Sequence, residues 1–294
     1  MIRKPLALLA LCAAVAFPAM AAANDLPQRW VSAGGALTEW ISALGGEARL
    51  VGVDTTSQHP ESLKALPSVG YQRQLSAEGM LSLRPDVLVG TDEMGPPPVV
   101  QQVRAAGVRV ELFSSDATLT ALDDNLKRLG VLLGAEQQAA TLASRYHQQI
   151  DAIATAVARA QASQPAPGVL LLVGHAGGKP LMAGQGTSGA WLLQQAGGRN
   201  LAHHQGYKPL SVEAMAALDP DVLVVSDRAV SGEAALQALL KENPALAGSR
   251  AVREKRVITL DPTLLVGGLG PRLPASVRSL VQAFYPDSQV NTVP

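Results

Sequence analysis

The stretch Leu75–Gly90, LSAEGMLSLRPDVLVG, recurs as Leu210–Val225, LSVEAMAALDPDVLVV, with Leu, Ser, Glu, Met, Leu, Pro, Asp, Val, Leu and Val in register. The chain therefore holds two related halves. In each copy a serine, Ser76 or Ser211, stands where its hydroxyl can cap a short helix. Glu78 or Glu213 then falls in the first turn, where the positive end of the helix dipole favours a carboxylate. Pro85 or Pro220 stops the helix. DVLVG and DVLVV follow as short, continuously apolar runs, the pattern of strands covered on both faces of a parallel sheet.

Outward from these segments, the first half supplies strand-like runs at 29–35 (RWVSAGG), 50–54 (LVGVD) and 108–113 (VRVELF), with helical segments at 37–45 and 97–107 between them. The second half supplies strands at 168–174 (GVLLLVG), 179–184 (KPLMAG) and 256–261 (RVITLD), with helices near 188–198 and 232–243. Alternating strand and helix predicts open parallel sheets with right-handed crossovers, and ligands outside the C-terminal strand ends. Between the halves, Leu142, Tyr146, Ile150, Ile153 and Val157 fall at spacings of four, four, three and four, an amphipathic stripe. That helix spans roughly 35 to 40 Å at 1.5 Å per residue, and Pro165 and Pro167 end it. The fold class is thus α/β, two mostly parallel lobes joined by one long helix, a clam whose lobes move little.

The first residues read as a signal peptide: Arg3 and Lys4, an apolar run, then AAAND, with cleavage after Ala23 and export of the mature chain. The expected division is signal peptide 1–23, first lobe 24–135, linking helix 136–164 and second lobe 165–294. Cys12 is the only cysteine and lies in the apolar run; Leu11 before it is large for a lipoprotein cleavage site. Without it the mature chain has no disulfide and no thiolate chemistry. Lys+Arg 24 against Asp+Glu 24 is formally neutral, which argues against nucleic acid. Hydrophobic content of 47% with 3% aromatic implies an Ala, Leu and Val core, so each aromatic outside it carries information.

One such aromatic is Tyr71 in Gly70–Gln74, GYQRQ. If Tyr71 to Arg73 is extended, the two side chains share a face and Arg73 reaches toward the Tyr71 oxygen. A neighbouring guanidinium favours the phenolate form of a tyrosine. Taken alone, the pattern is equally that of a surface tyrosine and a solvated arginine.

The framework of 30–45, 50–60, the two LS.E……PDVLV segments and the central helix resembles the helix-linked class of periplasmic substrate-binding proteins that serve ABC importers. The haem-binding members are similar at 66–86, LPSVGYQRQLSAEGMLSLRPD. The resemblance implies capture of ferric haem, as cargo and without catalysis, between the lobes, with Tyr71 on the iron and Arg73 supporting it. It implies that Glu78 and Glu213 meet arginines of the two permease subunits of the importer, a role compatible with helix capping. An outer-membrane haem receptor system would then act upstream. A second haem would place His175, after the strand VLLLV, on its iron; a loop histidine is the plain alternative. Haem propionates need cations, and Arg228, Lys179 and Lys208 stand near second-lobe strand ends, each equally a solvated charge; arginine is the better planar partner.

Three features carry less. His203 and His204 lack a third ligand at metal spacing. Gly184–Gly189, GQGTSG, satisfies a dinucleotide pattern but is read as the second lobe's internal turn, whose helix start can attract a propionate. GHAGG, 174–178, suggests an oxyanion site of an exported hydrolase, yet no G-x-S-x-G elbow or nucleophile, base and orienter set accompanies it. The same fold carrying a ferric siderophore or a corrinoid is the nearer rival.

Overall fold

A computed structural model describes residues 26–174, 180–209, 217–227, 233–242 and 244–286. The signal segment, His175, Lys179, Glu213 and Arg228 lie outside them. The first half runs β1 (Trp30–Ala33), α1 (Gly35–Ala43), β2 (Leu50–Val53), β3 (Gly70–Tyr71), β4 (Gln74–Leu75), α2 (Ala77–Ser82), β5 (Val87–Thr91), α3 (Pro97–Ala105), β6 (Arg109–Phe113) and α4 (Leu119–Leu133). Its main sheet, in the order β2-β1-β5-β6, is parallel throughout. The long helix α5 covers Glu136–Gln161.

The second half runs β7 (Gly168–Gly174), β8 (Leu181–Ala183), α6 (Ser188–Gln195), β9 (Arg199–Asn200), β10 (Tyr207–Pro209), β11 (Val222–Asp227), a helix at Glu233–Glu242, β12 (Val257–Thr259) and a helix at Leu273–Phe284. Its sheet is mostly parallel, as expected: β7, β9, β11 and β12 are parallel, while β8 runs antiparallel to β7, and β10 antiparallel to β8. Strand β8 can turn back because only residues 175–180 separate it from β7 in sequence, too few for the crossover a parallel partner requires.

The repeat has a structural reason. In each copy the residue before the proline takes a left-handed conformation, Arg84 at φ 47° and Asp219 at φ 35°. The following aspartate then hooks the start of the neighbouring strand. Asp86 Oδ2 accepts from the N–H groups of Gln28 and Arg29 at 2.8 and 2.9 Å, and Asp221 Oδ2 accepts from Gly168 N–H at 2.7 Å. The PDVLV motif thus ends a helix, aligns β5 with β1 or β11 with β7, and fills the sheet centre. Val87, Leu88, Val89, Val222, Leu223 and Val224 are fully buried. Helix α2 is capped as expected, the Ser76 hydroxyl accepting from Gly79 N–H at 3.2 Å.

Along α5, Tyr146, Ile150, Ile153 and Val157 are buried in the largest core cluster, with Leu142 packed against it. Tyr146 lies beside Trp40, ring centroids 6.0 Å apart, and burial pushes its phenol well above the ordinary range. Both ends of the helix are tied down. Gln138 Nε2 donates to Ala43 O at 2.8 Å near its start, and Gln161 Nε2 donates to Gly197 O and Tyr285 Oη at 3.0 and 2.8 Å at its end.

The halves also meet directly. The segment after β12 lies on α1, where Trp40 Nε1 donates to Leu269 O at 2.8 Å and Ala36 N–H to Val266 O at 3.3 Å. Arg272 stands at the centre. Its guanidinium donates to both oxygens of Glu39, to Asp261 Oδ2 at 2.7 Å and to Thr263 Oγ1 at 2.6 Å. The Glu39 side chain is only 6% exposed. From the first half, His59 Nε2 lies 3.1 Å from the same Asp261 oxygen.

Glu39→Gln leaves Arg272 short of a partner and should cost roughly 2–3 kcal/mol of stability, below the full price of a broken buried pair because Arg272 is partly solvated. Urea unfolding measures it. For Asp261 burial works against ionisation, but the Thr263 donors and Arg272 outweigh it and hold the carboxyl below its ordinary value. Such a group adds stability in full above its unfolded value and loses it as pH falls through the folded one. The network should therefore persist at pH 5 and fail only below about pH 4, read as melting temperature against pH.

Candidate ligand-binding site

The parallel strands of the first lobe all present their C-terminal ends to one side, and those ends are knitted together by a buried carboxylate. Asp54, 2% exposed, follows β2. Its Oδ1 accepts from Gly34 N–H at 3.0 Å and the Ser57 hydroxyl at 2.7 Å; its Oδ2 accepts from Thr56 N–H at 3.1 Å and the Thr56 hydroxyl at 2.7 Å. Thr38 Oγ1 joins Ser57 Oγ and Ser32 Oγ, each at 2.7 Å. Four donors make burial of this charge tolerable. They also fix the turns after β1 and β2.

On this floor stands the hairpin of β3 and β4, with Gly70 opposite Leu75 and Tyr71 opposite Gln74. The extended run from Tyr71 to Arg73 is therefore corrected: Gln72 and Arg73 form a tight turn. Gln72 points inward, 1% exposed, while Tyr71 is half-buried and Arg73 exposed. The turn brings arginine and tyrosine into range by folding back rather than by sharing a strand face. Backbone bonds hold it: Thr55 N–H donates to Gly70 O at 2.9 Å, Gly95 N–H to Gln72 O at 2.9 Å, and Leu75 N–H to Gly95 O at 3.0 Å. Gly70 sits at φ +98°, and a Cβ there would lie 2.9 Å from Gln74 O.

Arg73 is engaged by Glu93 from the loop after β5, Nη2 to Oε1 2.6 Å. That hydrogen bond, opposed by partial burial and aided by the Glu93 charge, raises the Arg73 pKa; Tyr71 and Tyr207 add to the pull. Tyr207 belongs to the other lobe. It occupies β10 opposite Ala183, packs against the main core cluster, and its hydroxyl lies 3.5 Å from where a Cβ on Gly189 would be. Tyr71, Arg73 and Glu93 from one lobe and Tyr207 from the other thus share one electrostatic neighbourhood.

Of the residues nominated from sequence, Tyr71 and Arg73 are together here. Lys208 follows Tyr207 in β10 and is exposed. Glu78 is exposed on the first turn of α2, the carboxylate placement a docking role requires. His203 is exposed, and His204 Nε2 lies 3.2 Å from Met182 O. The GQGTSG segment is a turn between β8 and α6, whose Thr187 hydroxyl accepts from Ala190 N–H at 3.0 Å. Sequence reasoning missed Gln72, Glu93 and Tyr207. Tyr207 left a signal, since side chains alternate along a strand and nominating exposed Lys208 implies an inward neighbour. Glu93 left none, because its partner is twenty residues away.

Residues 31–264 match the family model described as periplasmic binding protein. The chain belongs to the periplasmic binding protein family. Among solved structures, a periplasmic haem-binding protein from Pseudomonas aeruginosa aligns with a TM-score of 0.89 at 62% identity, over 90% of this chain and 95% of that one. A periplasmic haem-binding protein solved in complex with two haems aligns with a TM-score of 0.77 at 39% identity, over 88% of this chain and 98% of that one. A vitamin B12-binding protein of Yersinia pseudotuberculosis is 28% identical over 224 residues, 75% of each chain. This periplasmic binding protein is thus similar in sequence to both kinds of relative.

Because Gly70 alone tolerates its backbone angle, Gly70→Ala should strain the hairpin by roughly 1–3 kcal/mol. Hydrogen exchange will detect this as faster exchange at Leu75 and Gly95, with β1 and β5 amides unchanged.

Proposed function

We propose that this protein captures ferric haem between its lobes and delivers it to an ABC importer, without catalysing any reaction. The observation that carries the reading is the 62% identity, over nearly the full length, to a protein described as haem-binding. The GYQRQ hairpin supports it. Tyr71 supplies a hard anionic oxygen for ferric iron, with Arg73 on the same tight turn to offset its charge. His175 stays the candidate for a second iron, and Lys179, Lys208 and Arg228 the candidates for the propionates.

The chain is read as exported through the signal peptide 1–23, with lobes at 24–135 and 165–294 and the linking helix at 136–164. Its partners are ferric haem and a permease dimer, with an outer-membrane haem receptor system upstream. Glu78 and Glu213 would dock the two lobes on the two permease subunits, the Glu78 carboxylate also favouring the start of α2.

Titrating the mature protein with ferric haem should give a saturable high-spin, tyrosinate-type spectrum. In Tyr71→Ala that spectrum is lost and affinity falls about 10–100-fold, or 1.4–2.8 kcal/mol. Absence of a saturable spectrum in the wild type would move the reading to a siderophore or corrinoid; an unchanged Tyr71→Ala spectrum would keep haem and discard Tyr71. Docking is tested separately. Glu78→Ala with Glu213→Ala should bind haem normally yet slow uptake through the permease in vesicles, more strongly at low ionic strength, as expected of charges that steer encounter.

A further inference from the structure

We infer that Glu93 is a positioning residue for the metal-ligand site at Tyr71, holding Arg73 in place and partly neutralising its field on the tyrosine oxygen. The inference rests on the haem reading above. Its warrant is the geometry around the ion pair. Glu93 lies in a short loop whose backbone is fixed on three sides. Asp92 N–H donates to Phe113 O at 2.9 Å, Met94 N–H to Thr91 O at 2.9 Å, and Gly95 N–H to Gln72 O at 2.9 Å. The Asp92 side chain accepts in turn from Ser115 N–H at 3.1 Å.

The last of these backbone bonds matters most, because Gln72 is the turn residue between Tyr71 and Arg73. The loop carrying Glu93 and the turn carrying Arg73 are thus bolted together within two residues of each partner, and Leu75 N–H to Gly95 O at 3.0 Å is the second bolt. The Arg73–Glu93 contact at 2.6 Å is set by this scaffold rather than by chance meeting of long side chains. Both partners are half-solvated, at 52% and 38% side-chain exposure, so the pair contributes little to stability. Its effect is electrostatic. An unopposed guanidinium would draw on the tyrosine oxygen at full strength; with a carboxylate attached it presents a directed donor carrying less net charge.

The consequences for a tyrosinate-bound ferric ion have definite signs. Removing the Glu93 charge makes adding an electron easier. Glu93→Gln, which keeps an acceptor for Arg73, should move the ferric/ferrous potential of the haem complex to more positive values. Arg73→Ala should shift it in the opposite direction, and Glu93→Asp should restore the wild-type value. In an Arg73→Ala background Glu93 loses its tether, swings into solvent and is screened, so Glu93→Gln should shift the potential less than half as far.

The experiment is spectroelectrochemistry of the haem-loaded, full-length mature protein, wild type beside the four variants. A wild-type potential in Glu93→Gln overturns the inference, whatever happens to its melting temperature. An undiminished shift in the Arg73→Ala background also overturns it, because Glu93 would then act directly. A wild type that takes up no ferric haem overturns the functional reading, and this inference falls with it; the wild-type titration alone tells the two failures apart.

Discussion

Arg272 belongs to the second half of the chain, yet its guanidinium is shared between Glu39 of α1 and Asp261 of its own half. That shared cation decides how the halves face each other. Glu39 is buried and acceptor-only, so separating the inter-lobe surface breaks its hydrogen bonds from Arg272. Trp40 and Ala36 add backbone-directed bonds on either side of it, which removes rotational freedom about the ion pair.

The long helix completes the constraint. With its buried stripe in the main core and its ends tied to Ala43 on one side and to Gly197 and Tyr285 on the other, α5 is a strut anchored in both lobes. A hinge that opened widely would have to break an end tie as well as the Arg272 cluster. Adjustment to a ligand is therefore expected in the strand-end loops, which carry fewer buried contacts, rather than in the angle between sheets.

The frame was legible because it rests on patterns with a fixed physical period. The repeated PDVLV segments, the apolar strands and the stripe on α5 are all buried, and burial writes itself into sequence. What escaped notice was of two kinds. Helix α4 carries Leu122, Leu126, Leu129 and Leu133, buried at helical spacing behind a Thr118 cap, a readable signal adjacent to a longer one. Strand β10 is short and reads Tyr-Lys-Pro at a sheet edge, with no apolar run to reveal it. In the site, Tyr71 and Arg73 were legible as a pair, but the turn that joins them was not. Gln72 is polar and almost wholly buried, and polarity in sequence argues for the opposite placement.

That buried glutamine points to where ligand choice is encoded. The family frame serves proteins described as haem-binding and as vitamin B12-binding, so neither the sheets nor the strut can specify the cargo. Specificity must lie in side chains on the strand-end loops, and it needs a rigid support to place a metal ligand accurately. Here the support is a chain of contacts. The four bonds to Asp54 fix the floor, the Thr55 and Gly95 backbone bonds fix the hairpin, and Gln72 inside the turn forces Tyr71 and Arg73 to its outer side. A longer or more flexible turn would carry the same two residues without their mutual geometry. On the proposed reading, a two-residue turn thus converts a shared scaffold into a particular metal-ligand environment.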